Sequence, residues 1–162
     1  MDFVKELGCL TLGTRLKRLG ERLQSQTQVL LDAAGTDLPA SYYPILAALE
    51  RLGPANVGDL TEAMGISQPG VTRMLDKLEE AGLVRSVQST DDRRVRSIEL
   101  SKTGRQLVSK SKRAVWPVIE AAVADACDGR AQSLLATLSA LEEALAAAPL
   151  SVRAQRKSHA ST

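Results

Sequence analysis

The side chains that do most enzymatic and metal chemistry are scarce in this 162-residue chain. Its one histidine, His159, is the fourth residue from the C-terminus, which disfavours a His-based zinc site or a Ser-His-Asp triad. Cys9 and Cys127 are too far apart in sequence for a CxxC motif, and two cysteines make no disulfide framework. The four aromatics, Phe3, Tyr42, Tyr43 and Trp116, are too few for the stacking platforms of single-strand nucleic-acid modules. The expectation is a chain with no catalytic residues, no metal and no cofactor. Two groups of residues do stand at useful spacings. Gln68, Thr72 and Arg73, with Lys77 a turn further on, fall on one face of a segment whose other face is Val71, Met74, Leu75 and Leu78. Gln can pair with adenine and Arg with the O6 and N7 of guanine, provided the segment is a helix lying in a major groove. Asp92, Arg93 and Arg94 occupy a polar turn, where an Arg can reach a narrow minor groove and an Asp can orient its guanidinium. The competing readings are a solvated helix face and an ordinary polar hairpin turn.

Elements must exist to position these groups. With 44% hydrophobic and 25% charged residues, the chain has the composition of one globular domain able to bury its own core. Net charge is only +2, but Lys102, Arg105, Lys110, Lys112 and Arg113 cluster without an acid, as do Arg153, Arg156 and Lys157. Either run can be a solvated face. Asp2, Lys5 and Glu6 stand where a signal peptide would be apolar, and no stretch is long enough to span a bilayer. A cytoplasmic protein with no membrane partner is expected.

Helical periodicity dominates both ends. Leu12, Leu16, Leu19, Leu23 and Leu30 stripe a helix expected from about Phe3 to Ala33, closed by Gly35. Val108, Val115, Ile119, Ala122 and Ala126 stripe another from about Lys102 to Ala126, which Pro117 should kink. Leu134, Leu138, Leu141, Leu145 and Ala148 form a narrow seam ended by Pro149. Such seams at both ends call for a partner subunit, unless they pack on the chain's own middle.

The middle reads as three short helices and a hairpin. Pro39 to Leu52 carries Tyr42, Tyr43, Ile45, Leu46 and Leu49 and stops at Gly53-Pro54. Asn56 and Asp59 form a capping box for Val57 to Met64, which Gly65 ends. Ser67 is placed to cap the next helix, with Pro69 in its first turn and Gly82 beyond Ala81. Leu83 to Ser89 and Val95 to Leu100 read as strands. The Ser67 cap and the open N–H groups of the helix starts at Asn56 and Ser67 suit phosphate oxygens. The fold class is therefore mainly α with a small β-hairpin wing, a winged helix-turn-helix. Its parts are an N-terminal dimerisation helix (1–35), a winged domain (36–104), C-terminal dimerisation helices (105–149) and a polar tail (150–162).

Ile66-Ser67-Gln68-Pro69-Gly70-Val71-Thr72-Arg73 and its continuation to Val84 resemble the recognition helix of the MarR family of transcriptional regulators. Asp92-Arg93-Arg94, followed by Leu100-Ser101 and Gly104, resembles that family's wing signature. The resemblance covers residues 39–108 closely and the flanking helices by layout. It implies a homodimer with interlocked terminal helices, two winged domains on a pseudo-palindromic double-stranded DNA operator, and action as a repressor. It implies that Arg94 enters the minor groove with Asp92 as its partner, and that Gln68, Thr72 and Arg73 contact bases. Regulators of this family often respond to small phenolic compounds, for which Tyr42, Tyr43 and Trp116 are nearly all the aromatic surface here; core packing is the competing role. Some relatives sense oxidants through a first-helix cysteine, the place of Cys9, although Gly8-Cys9-Leu10 is apolar and Lys5 is the nearest cation in sequence. Residues 10–19 also resemble the first helix of regulators fused to an acetyltransferase, but no acetyl-CoA-binding Gly-rich loop occurs, so no activity is carried over. The alternative is a winged-helix protein-interaction module without specific DNA binding.

Overall fold

The structure, a computed structural model, describes residues 1–88 and 96–159. It divides into two compact units, Met1–Ile119 and Glu120–Thr162. The first contains α1 (Phe3–Glu6), a 3-10 turn (Gly8–Thr11), α2 (Leu12–Ala33), a second 3-10 turn (Ala40–Tyr42), α3 (Tyr43–Leu52), α4 (Val57–Met64) and α5 (Gln68–Glu80). Strands β1 (Val84–Gln88) and β2 (Arg96–Leu100) follow, then α6 (Lys102–Ala114) and the start of α7 (Trp116–Ala126). The second unit holds the rest of α7, α8 (Ala131–Ala147) and α9 (Leu150–His159).

The single N-terminal helix expected from the Leu stripe is interrupted. The chain turns at Leu7 and Gly8 (φ 56°), and α1 folds back toward α2. Two contacts hold the hook: Arg18 donates to both Asp2 carboxylate oxygens at 3.2 and 2.9 Å, and the Thr11 hydroxyl donates to the Val4 carbonyl at 2.7 Å. The Arg18 guanidinium holds the Asp2 carboxyl below its ordinary value. Because the folded value is the lower one, the pairing is complete at neutral pH and is lost as pH falls through it. An NMR titration of the Asp2 carboxyl should show a midpoint that rises toward the ordinary value in Arg18→Gln; an unchanged midpoint would refute the pairing.

The winged core follows the apolar pattern closely. Ile45, Leu46 and Leu49 of α3, Leu60 of α4, and Val71, Leu75 and Leu78 of α5 are buried together with Ile98, Leu100 and Val108. β1 and β2 pair antiparallel from Val84 opposite Leu100 to Gln88 opposite Arg96. Ile98 also pairs with Ala55, exchanging N–H···O bonds of 3.0 and 2.8 Å. The alternation in β2 thus sends Ile98 and Leu100 inward and leaves Ser97 and Glu99 half-buried.

The expected interruption near Pro117 is a break between α6 and α7 at Val115. Proline has no N–H to continue the helical ladder but fits the first turn of the next helix. At the other end of α6, the Ser101 hydroxyl accepts from the Gly104 N–H (3.0 Å) and donates to the Gly82 carbonyl (2.6 Å).

In the second unit, the segment expected as a polar tail forms α9. Ala148 is extended, Pro149 ends α8, and the chain resumes as a helix bent 77° from it. The Arg153 guanidinium donates to the Ala148 carbonyl (2.8 Å) and to that of Ala144, satisfying acceptors that α8 leaves at its C-terminus. Along α8, Leu134 and Leu145 are exposed, and Leu138 and Leu141 are half-buried. On α2, Leu12, Leu16, Leu19 and Leu23 likewise present an exposed apolar row. Among the described residues no single helix is long and apolar enough to cross a membrane.

Candidate nucleic-acid interface

Helices α4 and α5 form a helix-turn-helix whose start is fixed by side chains. The Asp59 N–H donates to Asn56 Oδ1 (2.9 Å) while the Asn56 N–H donates to Asp59 Oδ2 (3.1 Å), the reciprocal box the spacing predicts. Gly65 (φ 63°) closes α4 in the left-handed region, where a side chain would be strained. Ser67 differs from expectation. Its backbone is extended at the N-cap of α5, and its carbonyl accepts from Gly70 and Val71 (2.8 and 3.0 Å), but its hydroxyl makes no capping bond. Pro69 in the first turn has no N–H to satisfy. The Gly70 N–H in the first turn of α5 is therefore held by the Ser67 carbonyl and not by the Ser67 side chain.

The front of α5 is exposed, with Gln68, Pro69, Thr72 and Arg73 lining one shallow hollow. The Thr72 hydroxyl donates to the Gln68 carbonyl (3.0 Å), and Arg73 Nε donates to the Pro69 carbonyl at a long 3.3 Å. One weak main-chain bond holds the Arg73 side chain along the helix edge. Lys77 pairs with Glu80 (2.8 Å), whose carboxylate raises the ammonium above its ordinary value, so Lys77 is charged throughout the neutral range. The helix is thus apolar behind and rich in donors in front, as a groove-reading helix must be.

The strand pair runs toward the second predicted device. Asp92, Arg93 and Arg94 lie outside the described residues, and β1 and β2 converge on that segment from Gln88 and Arg96.

The three residues proposed for a small aromatic ligand separate. Tyr43 and Trp116 meet edge to face, with centroids 6.4 Å apart at 79°, and border a cavity of about 300 Å³ with Thr27, Leu31, Ala40 and Pro44. The Tyr43 hydroxyl is buried and meets no hydrogen-bond partner among the described residues. Tyr42 faces elsewhere and lines a hollow beside Arg73, Asp76 and Lys77, so it belongs with α5 and not with the aromatic pair. The edge of a short 3-10 turn, unreadable from spacing alone, separates the neighbours. Cys9 is exposed in the first 3-10 turn. Among the described residues, no three His, Cys, Asp or Glu side chains gather as a metal site would require.

Sequence reasoning overlooked Gln28 and Glu79. The Gln28 amide accepts the Ala40 N–H (2.7 Å) and donates to Asp32 (2.7 Å), tying α2 to the loop that leads into the winged domain. Glu79 accepts from the Ser86 N–H of β1 at 3.3 Å. Isolated polar residues on solvated faces carry no periodic signal, so neither could be singled out.

Helix-turn-helix followed by a hairpin packed on the same core defines a winged helix-turn-helix protein. The MarR family profile matches residues 38–95 of the chain. It is 30% identical over 89 residues to the HTH-type transcriptional repressor MdtR of Bacillus subtilis (strain 168), a match covering 55% of this chain and 56% of that protein. The chain thus matches about half the length of that relative. Among solved structures, the transcriptional repressor CouR bound to a 23-mer DNA duplex is 27% identical, with a TM-score of 0.70 over 84% of this chain and 96% of that one. A mutant MarR from E. coli complexed with operator DNA shares the fold at 18% identity, with a TM-score of 0.70 over 90% of this chain and 99% of that one.

Proposed function

We propose that this chain is a sequence-specific double-stranded DNA-binding transcriptional regulator that acts as a repressor, without an enzymatic step. The observation that carries the reading is the two-faced α5, with Val71, Leu75 and Leu78 buried behind and Gln68, Thr72, Arg73 and Lys77 exposed in front. α5 occupies the major groove, Asn56 and Ser67 lie along phosphates, and Arg94, with Arg93 beside it and Asp92 orienting it, enters the minor groove. The likeness to MdtR and to DNA-bound CouR supports this reading. The working form is a cytoplasmic homodimer on a pseudo-palindromic operator, since the exposed Leu rows of α2 and α8 have the spacing of a helix–helix seam. A small, largely apolar aromatic effector held against Tyr43 and Trp116 relieves binding.

Fluorescence-anisotropy titration of a duplex selected by the protein from a random pool tests the core of the proposal. Affinity should fall steeply and linearly in log–log form with salt, and a scrambled duplex should bind far more weakly. A flat salt dependence would instead favour a protein-interaction module. The dimer is tested separately: Leu138→Glu with Leu145→Glu should sediment as a monomer where the parent is a dimer. A dimer surviving both changes would remove α8 from the interface.

A further inference from the structure

Ile98 uses both its main-chain groups on Ala55, so its opposite number in β1, Ser86, is a pair without mutual hydrogen bonds. The Ser86 N–H therefore points away from β2, toward the open edge of the sheet. There it meets the recognition helix. Glu79 Oε1 accepts from the Ser86 N–H at 3.3 Å and from the Ser86 hydroxyl at 3.1 Å. Glu79 is exposed and sits in the last turn of α5, three residues before Gly82, so it is not needed to fill the core. Ordinary packing joins α5 to the sheet through Leu78 and Val84, which are apolar and direction-tolerant. A carboxylate gripping both donors of one strand residue is directional instead.

The geometry points to Glu79 as a positioning residue that fixes the angle between the recognition helix and the wing, so that both meet one duplex in register. A second bond at the adjacent cross-strand pair stiffens the ribbon: Arg85 Nε donates to Glu99 across the strands at 2.7 Å. With Ala55 on one side of β2 and Glu79 on the far side of β1, the row Ala55–Ile98–Ser86–Glu79 spans the wing base from edge to edge. The wing then moves only with α5. Loss of Glu79 leaves α5 folded and its front unchanged but frees the wing base to tilt, which costs the wing contact and not the base contacts.

This inference rests on the DNA-binding reading above, and the test separates the two. Duplex binding is titrated for the parent, Glu79→Ala and Glu79→Gln, each with Arg94 intact and with Arg94→Ala, while Ser86 amide exchange is followed by NMR. Glu79→Ala should weaken binding about tenfold when Arg94 is present and less than about twofold when it is absent, because the two act through one contact. Glu79→Gln keeps an acceptor oxygen and should restore most of the affinity. The Ser86 amide should exchange faster in Glu79→Ala while the buried α5 amides keep their rates. Equal losses with and without Arg94, or a Gln variant as weak as Ala, would overturn the positioning role. If Arg94→Ala alone binds as tightly as the parent, the wing reading itself fails, and this inference falls with it even where Ser86 exchange confirms the tether.

Discussion

Gly104→Ala is expected to destabilise the winged domain by about 3 kcal/mol, although the same change at most helical positions would be neutral or favourable. Gly104 is the third residue of α6, and a Cβ there would lie 2.0 Å from the Leu83 carbonyl oxygen and 3.0 Å from its carbon. That carbonyl cannot retreat freely. It accepts the Ser101 N–H at 3.0 Å, and the Leu83 N–H is bound to the Leu78 carbonyl at 2.9 Å. Moving it would open the junction where α5, β1 and α6 meet, beside the buried Leu83 and Leu100. Urea unfolding gives the decisive comparison. Ser101→Ala, which deletes only the cap, should cost about 1 kcal/mol, and Gly104→Ala should exceed it clearly. A Gly104→Ala midpoint at or above that of the parent would show that the close approach does not constrain the fold.

The second large effect concerns sequence discrimination. Arg73→Ala should narrow the gap between a preferred duplex and one altered at a single guanine by about 1–3 kcal/mol, the loss of one bidentate base contact. Among the described residues the side chain is held only by a bond to the Pro69 carbonyl that is long and easily exchanged, which leaves it able to make that contact. Competition titrations against the two duplexes measure the gap directly. A uniform loss on both, with a shallower salt slope, would reassign Arg73 to the phosphates. Lys77 offers the contrast: its pairing with Glu80 must be broken or shared before it can reach an anion, so Lys77→Ala should weaken both duplexes alike and by less.

Much of this architecture is legible in the sequence because it rests on periodic burial. The stripe Val71, Leu75 and Leu78 fixes which face of α5 is hidden, and the alternation at Ile98 and Leu100 fixes the inner face of β2. The Asn56–Asp59 box is legible because its spacing is its mechanism. What escaped notice depends on contacts between distant residues. The hook at Gly8 needs Asp2 to find Arg18, and nothing local in the Leu stripe announces that. Ser67 illustrates the reverse case, a residue type that favours capping but whose hydroxyl is not used for it. Tyr42 and Tyr43 are adjacent in sequence yet serve different surfaces, because a turn ends between them and a helix begins. The α9 helix was hidden by its polar composition, which reads as a tail until Arg153 is seen bonded back to α8.

The double pairing of Ile98, to Ser86 on one side and Ala55 on the other, bears on how this protein can vary. A hairpin held by a single partner strand can slip by a residue when its tip changes length, which would turn Ile98 and Leu100 outward. Here a third segment, outside the hairpin, pins the register of β2 independently of the tip. Residues can therefore be gained or lost between Gln88 and Arg96 without cost to the core. The strand pair is in this sense a fixed mount, and on the DNA-binding reading proposed above a change in the length of the segment it carries need not be matched by compensating changes in the domain beneath it.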